Sequence, residues 1–97
     1  MKTIEEIREI IADHKHGLKD HFKVKEIGVF GSYARSQQKE KSDLDILVEF
    51  ERPVSLLGLV SLENHLSDLL KVKVDLVPKG DIRPELKEGI LKEVIYL

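Results

Sequence analysis

The 97-residue chain contains no cysteine and no tryptophan. Without thiols it has no disulfide, no thiolate nucleophile and no cysteine-ligated zinc. Aromatic residues make up 5% of it, too few for the stacking platform on which single-stranded nucleic acids are held. Neither sign of charge dominates. Sixteen Lys and Arg stand against eighteen Asp and Glu, a formal net charge of −2, so the broad cationic field behind non-specific nucleic-acid binding is absent. No apolar run approaches the roughly 18–20 residues that span a bilayer. The opening Met1-Lys2-Thr3-Ile4-Glu5-Glu6 is a helix start and lacks the apolar run of a secretory signal. These absences lead us to expect a cytoplasmic protein with no membrane association and no direct nucleic-acid binding.

What is present is a folding composition, 41% hydrophobic and 35% charged. A chain of this length buries one core and leaves no room for a second lobe, so residues 1–97 read as a single domain. Thr3 and Glu6 fit a capping box. Ile4, Ile7, Ile10, Ile11, His14 and Leu18 then recur at helical spacing, predicting a helix to about residue 20. Val24 to Phe30 reads as a strand ended by Gly31. Ser32 to about Gln38 reads as a short helix, Gln38-Lys39-Glu40-Lys41 as an exposed loop, and Asp43 to Phe50 as a second strand. Ser55 caps a helix to about Leu70 whose stripe is Leu59, Leu62, Leu66, Leu69 and Leu70. Val72 to Val77 is a third strand. Pro84 opens a last helix to about Gly89, and residues 93–97 form a terminal strand or prolong that helix; the strand is the reading we keep. The order is α-β-α-β-α-β-α-(β), an α/β (α+β) domain with a small mixed sheet flanked by helices.

The chemistry concentrates in two short motifs and one distant acid. Asp43 and Asp45 stand two apart on a strand, on one face, with Cα atoms roughly 6.5–7 Å apart. Two carboxylates about 5 Å apart repel by roughly 3 kcal/mol at an effective dielectric near 20. A divalent cation reverses that sign, and hard oxygen ligands favour Mg²⁺ or Mn²⁺ over zinc. Asp75 is a third acid, set within an otherwise apolar strand. If the second and third strands are neighbours, all three cluster around one or two metal ions, an arrangement suited to phosphoryl or nucleotidyl transfer. Gly31 lets backbone approach a phosphate, and Ser32 adds a hydroxyl and N–H donors. Taken singly, Asp-x-Asp is as readily a solvated strand face, Asp75 an edge-strand charge, and Gly31-Ser32 a plain turn. Their joint spacing favours a nucleotide and metal site. His14, His16, His21 and His65 make no metal set: the first two are two apart on a helix and point to different faces.

Gly31-Ser32-Tyr33-Ala34-Arg35, then Ser42-Asp43-Leu44-Asp45-Ile46-Leu47-Val48, then Val74-Asp75-Leu76-Val77 resembles the polymerase-beta-type nucleotidyltransferase superfamily, and within it the minimal nucleotidyltransferases (MNT). The segments Ile82-Arg83-Pro84-Glu85 and Glu93-Val94-Ile95-Tyr96-Leu97 resemble theirs too, so the likeness spans nearly the whole chain. One departure is Ser36, where the family commonly has Gly. The resemblance implies that Gly31 and Ser32 contact the triphosphate of ATP. It implies that Asp43 and Asp45 bind two Mg²⁺ ions, and that Asp75 completes the metal site and orients or deprotonates the attacking hydroxyl. Arg35 would brace the helix or the acids; Tyr33 has no assigned chemistry. MNT proteins are commonly encoded beside a helical HEPN protein, an RNase-type toxin. The resemblance therefore implies an antitoxin that transfers AMP from ATP to a tyrosine hydroxyl of a HEPN partner, or one that neutralises that partner by binding and occlusion. Transfer to RNA or to a small acceptor is disfavoured by the lack of a basic stripe and of a second lobe.

Overall fold

Thr3 opens the first helix as the spacing predicts. Its hydroxyl accepts the Glu6 N–H at 3.3 Å, while the Glu6 carboxylate accepts the Thr3 N–H at 3.2 Å, so two donors at the helix start are satisfied reciprocally. The computed structural model describes residues 2–97; Met1, part of the expected helix start, lies outside the described residues. In chain order the elements are α1 (Ile4–Phe22), β1 (Val24–Phe30), a 3₁₀ turn (Gly31–Tyr33), β2 (Leu44–Phe50), α2 (Leu56–Leu70), β3 (Val74–Pro78), a second 3₁₀ turn (Lys79–Asp81), α3 (Pro84–Glu93) and β4 (Ile95–Tyr96). Among the described residues no helix is long and apolar enough to cross a membrane.

The strands form one mixed sheet in the order β3-β2-β1-β4. The hairpin partner of β1 is β2, antiparallel, and β4 pairs antiparallel on its other side. β3 runs parallel to β2, as the helical crossover α2 between them requires. Ser55 caps α2 by accepting the Gly58 N–H at 3.1 Å. Leu44, Ile46 and Val48 of β2 are fully buried and pack with Ile7, Ile11 and Leu18 of α1 and Leu62, Leu66 and Leu70 of α2. Each such side chain removed from water contributes about 1.5–3 kcal/mol, so this helix-covered side of the sheet carries most of the folding energy. Leu47 and Ile82 are buried as well but stand apart from that cluster.

Four expectations need correction. The helix predicted over Ser32–Gln38 does not form: after one turn the chain closes in a Schellman motif. Gln37 N–H reaches Ser32 O at 2.8 Å, Ser36 N–H reaches Tyr33 O at 3.3 Å, and Ser36 takes the left-handed conformation at φ 56°. The last helix does not stop at Gly89 but runs to Glu93, because Ile90 and Leu91 continue the helical register and Gly89 keeps an ordinary helical backbone. The chain leaves the helix at β-branched Val94, and the strand kept for the terminus is only Ile95–Tyr96, backed by a Leu97 N–H bond to Ile27 O at 2.9 Å. His14, placed on the buried stripe of α1, is exposed, with Nδ1 2.9 Å from Ile10 O.

Candidate active site

The site begins where β1 ends. Phe30, the last residue of β1, pairs with Asp45 of β2, and the chain then turns sharply at Gly31. Gly31 has φ +76°, and a Cβ there would lie 2.1 Å from Asp45 Oδ2. Glycine is required twice over, for the left-handed backbone and for the carboxylate packed against it. Ser32 follows immediately, half-buried, and Tyr33 is buried with its hydroxyl pKa raised by that burial. This places Tyr33 in the core cluster.

The third acid arrives through the sheet. In the parallel register of β2 and β3, Asp45 lies directly beside Asp75. Asp45 is half-buried, whereas Asp43 and Asp75 are exposed. Burial first, then the charges of Asp75 and Asp43 and a side-chain hydrogen bond with Asp75, against an opposing Arg35, together raise the Asp45 carboxyl to about 6. Two carboxylates this close disfavour each other's charge, and the half-buried one carries the rise. Asp43 is drawn the other way, its Oδ2 3.9 Å from Lys73 Nζ. Among the described residues no three His, Cys, Asp or Glu side chains stand close enough to close around a metal ion. The donor chemistry still fits one. Asp45 and Asp75 offer hard oxygens under mutual repulsion, which a divalent cation relieves, and the absence of a side chain at Gly31 is what lets the Asp45 carboxylate sit there.

Two supports were not legible from spacing. Arg35 forms an ion pair with Glu93 at the end of α3 and donates from Nε to Gln37 Oε1 at 3.1 Å, tying the glycine turn to a helix 58 residues away. Beyond the turn, Lys39 N–H reaches Ser42 Oγ at 2.8 Å and Ser42 N–H reaches Lys39 O at 2.9 Å, closing the loop that delivers Asp43. Three of the four histidines come near one another on α1 and α2. His14, His21 and His65 line one cavity of about 460 Å³ with Asp13, and the His65 ring packs on Phe22 at 5.1 Å between centroids. They remain outside the acid site. A hollow of about 810 Å³ lies at the opposite ends of β2 and β3, away from the acids. On α2, Leu56 and Leu57 are exposed at 76% and 81%, with Val60 beside them.

Residues 11–97 match the family model described as "Nucleotidyltransferase domain". Over the full length of both chains, the protein is 54% identical to a Methanocaldococcus jannaschii chain provisionally named a protein adenylyltransferase. It is 48% identical to protein adenylyltransferase MntA of Thermococcus cleftensis, over all of this chain and 98% of that one. A solved structure described provisionally as a minimal nucleotidyltransferase superposes with a TM-score of 0.77 at 36% identity, covering 94% of this chain and 95% of that chain. The same fold recurs, at 22% identity and a TM-score of 0.69, in a complex of a tri-AMPylated Shewanella oneidensis HEPN toxin with its MNT antitoxin. That superposition covers 93% of this chain and 70% of the other. The chain belongs to the nucleotidyltransferase domain family, among its minimal members.

Proposed function

We propose that this protein is a Mg²⁺-dependent adenylyltransferase that moves AMP from ATP onto a hydroxyl, a tyrosine, of a HEPN-domain toxin and thereby acts as its antitoxin. The observation that carries the reading is the meeting of Asp45, Asp75 and Gly31 at one end of the sheet. The full-length likeness to chains named as protein adenylyltransferases supports the reaction, and the fold shared with a toxin-bound antitoxin supports the partner.

In this reading Asp43, Asp45 and Asp75 hold the metal. Bound divalent cations supply charge neutralisation at the triphosphate and at the attacking oxygen. Gly31, lacking a side chain, admits the phosphates against the backbone, and Ser32 offers its hydroxyl and N–H to them. Asp75, the exposed member of the hydrogen-bonded pair, orients the acceptor hydroxyl and takes its proton. The new phosphorus–oxygen bond forms as the bond to pyrophosphate breaks. Arg35, anchored by Glu93, holds the turn in place. The test is transfer of label from α-labelled ATP to the purified partner. Label on the partner with wild type and none with D43N/D45N supports the reading; no transfer by wild type above that double variant rejects it.

The exposed leucines at the start of α2 favour a second reading, neutralisation by occlusion alone. Leu56 and Leu57 present an apolar surface of the kind that marks protein contacts. Coexpression separates the two. A folded D43N/D45N that still restores growth against the toxin points to occlusion, and one that fails points to catalysis.

A further inference from the structure

β3 is the edge of the sheet, and it carries Asp75. An edge strand presents unpaired N–H groups on its outer side and is the part of a sheet freest to fray or twist. Here those groups are taken up by side chains of α2. Val74 N–H donates to Ser67 Oγ at 3.0 Å, and Leu76 N–H donates to Glu63 Oε2 at 2.9 Å. The two donors flank Asp75 on either side. The two acceptors are one helical turn apart on α2, so they fall on one face of it. That helix is itself fixed, with Leu62, Leu66 and Leu70 fully buried against the sheet. Asp75 is thus held from β2 through the parallel ladder and from α2 through its two neighbours.

We infer that Glu63 and Ser67 are positioning residues for the metal site: by clamping the backbone on both sides of Asp75 they fix its carboxylate beside Asp45. The inference rests on the proposed metal-dependent function and names side chains of α2 that act on it without touching nucleotide. Glu63 acts as a hydrogen-bond acceptor; its negative charge is incidental. Glu63→Gln, which keeps an acceptor oxygen, therefore preserves the site, and Glu63→Ala does not.

The experiment uses the full chain and Mn²⁺ as a spectroscopic probe, titrated by electron paramagnetic resonance, with amide hydrogen exchange at Val74 and Leu76 followed by NMR. In Glu63→Ala the Leu76 amide exchanges faster and Mn²⁺ binding weakens about tenfold, the usual scale for lost support behind a metal ligand. Glu63→Gln returns both to near wild type. Ser67→Ala shows the same pattern at Val74 with a smaller loss of affinity, and it carries the test if Glu63→Ala does not fold. A folded Glu63→Ala or Ser67→Ala with faster exchange and unchanged Mn²⁺ affinity overturns the inference, as does a Gln variant as impaired as the Ala variant. Failure of the wild type to bind Mn²⁺ at all overturns the proposed function itself, and the clamp's role with it.

Discussion

The two faces of β2 serve opposite ends. Leu44, Ile46 and Val48 point toward α1 and α2 and are fully buried. Asp45, interleaved with them, faces the other way, hydrogen-bonds Asp75 and has a carboxyl pushed up to about 6. Alternate residues of one seven-residue strand therefore supply the folding energy and the electrostatic tension. The tension is bearable because it sits on a scaffold already sealed from behind. Sites that crowd like charges are destabilising in isolation, and their place in a fold is set by what offsets them nearby.

The largest effect comes from breaking the sealed face. Leu44→Ala removes a fully buried side chain next to both Asp43 and Asp45 and costs about 3–5 kcal/mol, read as a lower urea midpoint at unchanged slope. Gly31→Ala is next. It forces a Cβ into Asp45 Oδ2 and a side chain onto a positive φ, a cost of about 2–3 kcal/mol, with loss of AMP transfer even at temperatures where the variant stays folded.

Asp45→Asn sharpens the contrast with the opposite sign. Ionisation of Asp45 opposes folding, because the folded protein holds that proton up to about pH 6 and the unfolded chain releases it near 3.8. In the metal-free wild type the benefit of the bound proton is complete below pH 4 and is lost as pH rises through 6. A rise of about two units corresponds to at most roughly 3 kcal/mol; solvent screening of this half-exposed carboxyl brings it to about 1 kcal/mol. Metal-free Asp45→Asn is thus expected to match wild type near pH 4 and to exceed it by about 1 kcal/mol at pH 8, measured by thermal unfolding at both pH values. Transfer activity is lost in the same variant. The smallest effect is Ser36→Gly. Ser36 holds a left-handed backbone at φ 56°, so glycine relieves a penalty of about 1 kcal/mol or less, seen as a slightly higher melting temperature.

Much of this was legible in the chain. The Thr3–Glu6 box, the Ser55 cap and the isoleucine and leucine stripes are local signals, and the elements they define form where expected. The parallel pairing that brings Asp75 to Asp45 was conditional, because strand neighbours are chosen by non-local packing. The turn after Gly31 was misread as a helix. Its stop signal is normally glycine at the left-handed position, and here Ser36 fills that position without announcing it. The departure from the family pattern and the misread turn are one fact seen twice. Arg35–Glu93 joins residues far apart in sequence, and nothing in the spacing of either points to the other.

The parallel register has a further consequence, one of parity. Successive residues of a strand face opposite ways, so Asp75 meets Asp45 only if the connection through α2 and Lys71-Val72-Lys73 delivers β3 in the correct phase. One residue more, passed on to the pairing, would turn Asp75 under α2 and set Val74 or Leu76 beside Asp45 in its place. No partly assembled arrangement lies between the two. The segment joining these acids is therefore held to its length as firmly as α2 is held to its buried leucines and its Glu63 and Ser67 acceptors.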